Sequence, residues 1–143
     1  MKKIIYLTIL ALIFACGGND SNDINSIEGR WNFISQTDCG DPQVTDSCSL
    51  QSYMTLDNGL GEITVFNLID EVPGTCQISD IIDVTYSVVP NNPNTYNFIG
   101  ANSSGALATL NGNTLTLTEE YDAGDSNCPQ QDVVIEVLTF TRD

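Results

Sequence analysis

The stretch "IEGRWNFISQ", residues 27–36, holds the chain's only tryptophan and places it straight after Gly-Arg at the head of an alternating run. A tryptophan in that setting can mark the closed end of a small β-barrel, with Trp31 and Phe33 on the inner face because strand side chains alternate with period two. The rest of the chain has the same character. From Ile27 onward, short β-branched, aromatic and alternating segments recur between Gly, Asn, Pro and Asp clusters, and no window carries a helical repeat. Strands are expected near 30–37, 50–57, 61–69, 81–89, 94–99, 105–110, 114–121 and 132–142, eight in all. The turn signals between them are "DNG" at 57–59, "PNNPN" at 90–94 and "NGN" at 111–113. The Asn-Gly pairs of the first and last supply positive φ at little cost, so consecutive strands should form hairpins.

Eight up-and-down strands without helices to cover the edges are most simply accommodated by closing the sheet on itself. The fold class is therefore all-β, a single eight-stranded antiparallel up-and-down barrel over residues 27–143, with a two-sheet sandwich as the alternative. Alternation assigns Trp31, Phe33, Met54, Leu56, Val84, Tyr86, Tyr96, Phe98, Leu115, Leu117, Leu138 and Phe140 to the interior. Asp83, Thr85, Thr116 and Glu136 are assigned to the outer face, and the facing of 61–69 and 132–142 is left open by the pattern.

Ahead of the barrel, Lys2 and Lys3 precede the apolar run "IIYLTILALIFA", and Cys16 follows at once. A spanning helix needs about 18 or more apolar residues, so this run reads as a cleaved signal peptide, residues 1–15. An exported, anchored chain would begin at Cys16, with "GGNDSNDINS" to residue 26 as a flexible polar tether. Gly17 after the cysteine favours an outer-membrane destination, in either leaflet.

Removal of the leader takes both lysines with it and leaves Arg30 and Arg142 as the only cations against 19 acidic residues. Such a surface disfavours nucleic acid and anionic headgroups and favours solubility or a cationic protein partner. With no histidine in the chain and no lysine after the leader, Ser-His, Cys-His and Ser-Lys arrangements have no members, so hydrolytic catalysis is not expected. Glu119 and Glu120 are adjacent on one strand and point to opposite faces, which makes them a poor acid–base pair. "DAGDSN" at 122–127 lacks calcium-loop spacing, and the cysteines lack a Cys-x-x-Cys knuckle, so neither a metal nor a cofactor is expected.

"IFAC" at 13–16 resembles the bacterial lipobox, which implies lipidation of Cys16 and a membrane attachment through acyl chains alone. "GRW" at 29–31 and "LTFTR" at 138–142 resemble the lipocalin pattern. Small bacterial lipocalin-like lipoproteins also share a cysteine before the second strand, another some thirty residues later and "NGNTLTLT". The resemblance spans residues 27–143 and lacks the Thr-Asp-Tyr-like middle signature. It implies that Gly29 and Trp31 lie at the closed end and that Arg142 crosses the indole, where cation–π attraction is favourable.

Strand directions then put the tight turns and both termini at one end, and the loops 38–49, 70–80, 100–104 and 122–131 at the other. Cys39, Cys48, Cys76 and Cys128 all fall in or beside that second set, an even number in an exported domain. Strand adjacency prefers Cys48 with Cys76 and Cys39 with Cys128. The main rival is Cys39 with Cys48 and Cys76 with Cys128. The resemblance implies a non-catalytic protein that takes a small apolar ligand through the open rim, with Phe33, Met54, Tyr86, Tyr96 and Phe98 as candidate pocket residues. The competing reading is an acidic interaction or inhibitor module that captures a cationic protein with its rim loops.

Overall fold

Period-two alternation and short Asn-Gly turns leave the chain one economical arrangement, a meander whose last strand returns to its first. The computed structural model has that arrangement; it describes residues 26–69, 74–100, 105–122 and 133–142. The strands are β1 (Gly29–Asp38), β2 (Asp41–Pro42), β3 (Tyr53–Asp57), β4 (Leu60–Leu68), β5 (Cys76–Val89), β6 (Asn92–Gly100), β7 (Ala106–Asn111), β8 (Thr114–Asp122) and β9 (Val133–Arg142). A 3₁₀ turn, η1 (Ser49–Gln51), leads into β3. Every long strand is antiparallel to its neighbours, and β9 pairs back onto β1 through Trp31 opposite Arg142 and Phe33 opposite Phe140. The result is a closed eight-stranded barrel plus the two-residue β2, which pairs with the far end of β1.

The hairpin chemistry follows the expected signals. Asp57 pairs with Leu60, and the two residues between them, Asn58 and Gly59, have φ of 50° and 80°, the positive values of a type I′ turn. Gly112, between the paired Asn111 and Thr114, also has positive φ.

Three local departures from the expected strands have physical causes. The second long strand begins at Tyr53 because η1 occupies the preceding residues: Asp46 Oδ1 accepts hydrogen bonds from the backbone N–H groups of Cys48 and Ser49, both at 2.8 Å, and coils the chain there. These bonds, that from Ser49 foremost, hold the Asp46 carboxyl below the ordinary aspartate range. β5 starts as early as Cys76, because a bulge at Val65 and Phe66 lets β4 keep pairing down to Leu68 opposite Cys76. Glu136 is on the inner face, not the outer one. It shares parity with Leu138 and Phe140, and alternation outweighs the charge that suggested exposure.

The core runs along the inner face: Trp31, Met54, Leu56, Val84, Tyr96, Phe98, Ala108, Leu110, Leu115, Leu117 and Phe140 are buried, and Ile27 plugs the end from outside the first strand. Asp83 and Thr85 are exposed. One interior position is kept empty. A Cβ at Gly61 would come within 2.5 Å of Leu56 Cδ2, 2.9 Å of Val84 Cγ2 and 3.0 Å of the Thr55 carbonyl oxygen. Gly61→Ala is expected to lower the unfolding free energy by about 1–3 kcal/mol, the usual cost of overpacking. Urea melts that coincide with the parent's would show that the barrel wall yields there freely.

The residues 1–15 read as a leader, Cys16 with its tether as far as residue 25, Cys128 and the 123–127 part of the acidic loop lie outside the described residues.

Candidate functional site

The two ends of the barrel differ: the tight turns that follow β3, β5 and β7 fall at one of them, and the Cys39-Gly40 turn into β2 lies at the other. At the first of these ends the chain entering β1 folds across the opening. The Trp31 indole N–H donates to the Ile27 carbonyl at 2.8 Å, and the Arg142 guanidinium stacks over the indole at 4.5 Å. Arg142 Nη2 donates to the carbonyls of Ser26 and Glu28. Glu28 Oε1 in turn accepts from the Asn58 backbone N–H at 3.1 Å and the Tyr86 hydroxyl at 3.0 Å, which ties the β3–β4 turn and β5 to the same floor. Burial foremost, then the Glu28 carboxylate, raises the Tyr86 phenol above its ordinary range. The wall above this floor is filled by aromatic contacts, Tyr86 stacked on Phe98 at 5.5 Å and edge-on to Tyr96 at 6.3 Å. Tyr96 and Phe98 are buried in the core, and Tyr86 packs against it.

The opposite half contains a cavity of about 240 Å³ between β1, β9 and β4, with η1 on one side. Phe33 and Phe140, an edge-to-face pair with centroids 5.8 Å apart, belong to its lining, with Ile63, Val65, Phe66 and Leu138 as the other apolar surfaces. Polar atoms come from Gln36, Ser49, Ser52, Asn67 and Glu136. Ser52 is itself buried, and its Oγ accepts the Phe66 backbone N–H at 3.0 Å, which fixes η1 against β4.

Among the described residues, Glu136 is the single ionisable group in the lining. Its Oε1 accepts from Gln36 Nε2 at 2.5 Å. In the strand register it lies opposite Glu119 on β8 and Asp38 on β1, so three carboxylates share one row near the open end. Burial first, then the charges of Glu119 and Asp38, push its carboxyl above the ordinary glutamate range, and the Gln36 hydrogen bond opposes the rise.

Of the sequence's five pocket candidates, Phe33 lines this cavity. Met54, Tyr86, Tyr96 and Phe98 are packed in the core instead, because alternation tells inside from outside but not how deep in the barrel a side chain lies. The place of Gln36 in this lining has no sign in the sequence, for a definite reason. A bulge between Phe33 and Ser35 shifts the phase of β1, and nothing in "NFISQ" signals it. Phe66 and Val65 flank the second bulge and were hidden in the same way.

Cys48 and Cys76 form a disulfide, with Cα atoms 5.2 Å apart, that joins the start of η1 to the start of β5. This excludes the rival pairing of Cys39 with Cys48. Cys39 is also disulfide-bonded. Arg30, the other cation of the barrel, sits on the outer surface over the Tyr53 ring at 3.7 Å. Among the described residues no group of three or more His, Cys, Asp or Glu side chains is arranged to hold a metal ion.

A family model described as a lipocalin-like domain matches residues 27–117, from the segment that plugs the closed end to the middle of β8. No curated protein and no solved structure matches the chain.

Proposed function

The chain belongs to the lipocalin-like domain family, and from that premise we propose that it is a lipid-anchored binding protein of the bacterial cell envelope that holds a small apolar molecule in the cavity of the open half. The lipocalin-like barrel is a fold suited to small hydrophobic ligands, and the family is generally non-catalytic. The observation that carries the reading is the contrast between the two halves: a floor sealed by Trp31, Arg142 and Ile27, and above it an apolar space bounded by Phe33, Phe140, Leu138 and Ile63. Its volume, about 240 Å³, lies just below the roughly 300 Å³ at which small-molecule sites commonly begin, so the cargo is short.

Support for the envelope comes from the sequence: Lys2 and Lys3, the apolar run to Ala15, and Cys16 immediately after it. Gly17 in place of an acidic residue supports an outer-membrane location. Intact-mass analysis of the membrane fraction should find a chain that begins at Cys16 and carries acyl groups. A mature chain that begins elsewhere, unacylated, would overturn the anchor.

Ligand binding is tested on residues 17–143, which contain every described strand of the closed barrel, exported to an oxidising compartment and purified without detergent. Native mass spectrometry should show a co-purified apolar mass, or the protein should take up a fluorescent apolar probe saturably and without loss at high salt. Protein that is bare and indifferent to the probe would overturn the reading. Capture of a cationic protein that salt abolishes would favour the interaction module instead.

A further inference from the structure

We propose that the cavity selects an amphipathic ligand with a cationic amine head, and that the Glu136 carboxylate receives that head; this rests on the cavity being a ligand site as proposed above. The starting point is the lining itself. Among the described residues six of its side chains are hydrocarbon, and one group, Glu136, can carry charge.

A carboxylate half withdrawn from water needs a partner, since burying charge is costly unless it is paired. Among the described residues the partner it has is the uncharged Gln36 amide. Only two cations occur after residue 3, and both are committed elsewhere. Arg30 lies outside over Tyr53, and Arg142 lies at the closed end over Trp31. Six residues along β9 separate Arg142 from Glu136, about 20 Å of strand. Glu119 and Asp38, opposite Glu136 on the strands to either side, make the row more negative rather than neutralising it.

The field at the inner mouth of the cavity therefore favours a positive group and opposes a carboxylate. An ammonium head presents N–H donors to the Glu136 oxygens in charge-assisted hydrogen bonds, while its hydrocarbon tail covers Phe33, Ile63, Leu138 and Phe140. No proton needs to move. Fatty acids, whose head would face three carboxylates, are disfavoured by the same geometry.

The test compares three eight-carbon probes, octylamine, 1-octanol and octanoate, by calorimetry or displacement of a fluorescent apolar probe at neutral pH. Octylamine is expected to bind about tenfold more tightly than octanol, and octanoate more weakly than either. Glu136→Gln should bring octylamine to within a few-fold of octanol, and a circular dichroism spectrum and urea midpoint like the parent's show that the variant is folded. Asp83→Asn, which removes an exposed carboxylate from the outer face, should leave the amine preference in place.

The preference should also fade on acidification. It is lost as Glu136 takes up a proton, beginning above the ordinary glutamate range, with burial first and then Glu119 and Asp38 raising that threshold and Gln36 lowering it. Octanol binding without an amine preference would overturn the proposal while leaving the ligand site standing. A preference that survives Glu136→Gln, or falls equally in Asp83→Asn, would overturn it as well, by assigning the effect to net charge. Failure of all three probes to bind would overturn the ligand site itself.

Discussion

Trp31→Ala is expected to lower the unfolding free energy by about 3–5 kcal/mol, a large part of the roughly 5–15 kcal/mol that holds a domain of this size. Trp31 is completely buried, and three features of the closed end converge on it. Its ring packs in the core and carries the Arg142 guanidinium, and its N–H holds the Ile27 carbonyl that brings the entering chain across the barrel. Arg142 stands directly opposite it in the β1–β9 ladder, so the same residue pair closes the sheet and seals its floor. Trp31→Phe separates these contributions. It keeps most of the packing but leaves the Ile27 carbonyl without its donor, at a cost of about 1–3 kcal/mol. Chemical denaturation followed by circular dichroism measures both variants, since the substitution removes the chain's only tryptophan. A loss below about 1.5 kcal/mol for the alanine variant would mean that the floor is held by the strand ladder and that the indole is incidental.

The closed end was the legible part of the molecule, and the reason is physical. Turn types depend on two or three residues, so "DNG" and "NGN" reveal themselves locally, and alternation over a strand needs only the strand's own side chains. Every residue assigned to the interior from Trp31 to Phe140 is buried or partly buried and packed with the core. The cavity was not legible, because its position depends on the phase of two bulges and on the depth of each side chain in the barrel. The bulge after Phe33 turns Gln36 toward Glu136, and the one at Val65 and Phe66 reorients the end of β4. Gly61 is a further case. "LGEITV" gives no hint that its glycine leaves room for Leu56 and Val84 from neighbouring strands. Glu136 differs in kind: the sequence pattern leaves the facing of 132–142 open and a glutamate is expected to face water, but the parity it shares with Leu138 and Phe140 puts it inside.

The joint substitution Cys48→Ala and Cys76→Ala is expected to cost about 3–4 kcal/mol, the loop-closure contribution for a bond spanning 28 residues. Its second effect should fall on the cavity. Cys48 immediately precedes η1, and Ser49 and Ser52 at either end of that turn belong to the cavity lining, so the disulfide fixes one wall of the site to the beginning of β5. The Asp46 cap and the bond from the Phe66 N–H to Ser52 Oγ hold the same segment from its other sides. Loss of the disulfide should therefore loosen the wall without unfolding it, and weaken octanol binding several-fold while Trp31 stays buried and its fluorescence unchanged. Thermal melts and octanol affinity measured on the same samples separate the two roles. A large drop in melting temperature with unchanged affinity would assign the wall to the Asp46 cap and leave the disulfide as a constraint on the unfolded chain. A drop in both would make the redox state of this bond a determinant of binding, because the entropy it removes from the unfolded chain and the order it imposes on η1 come from the same covalent link.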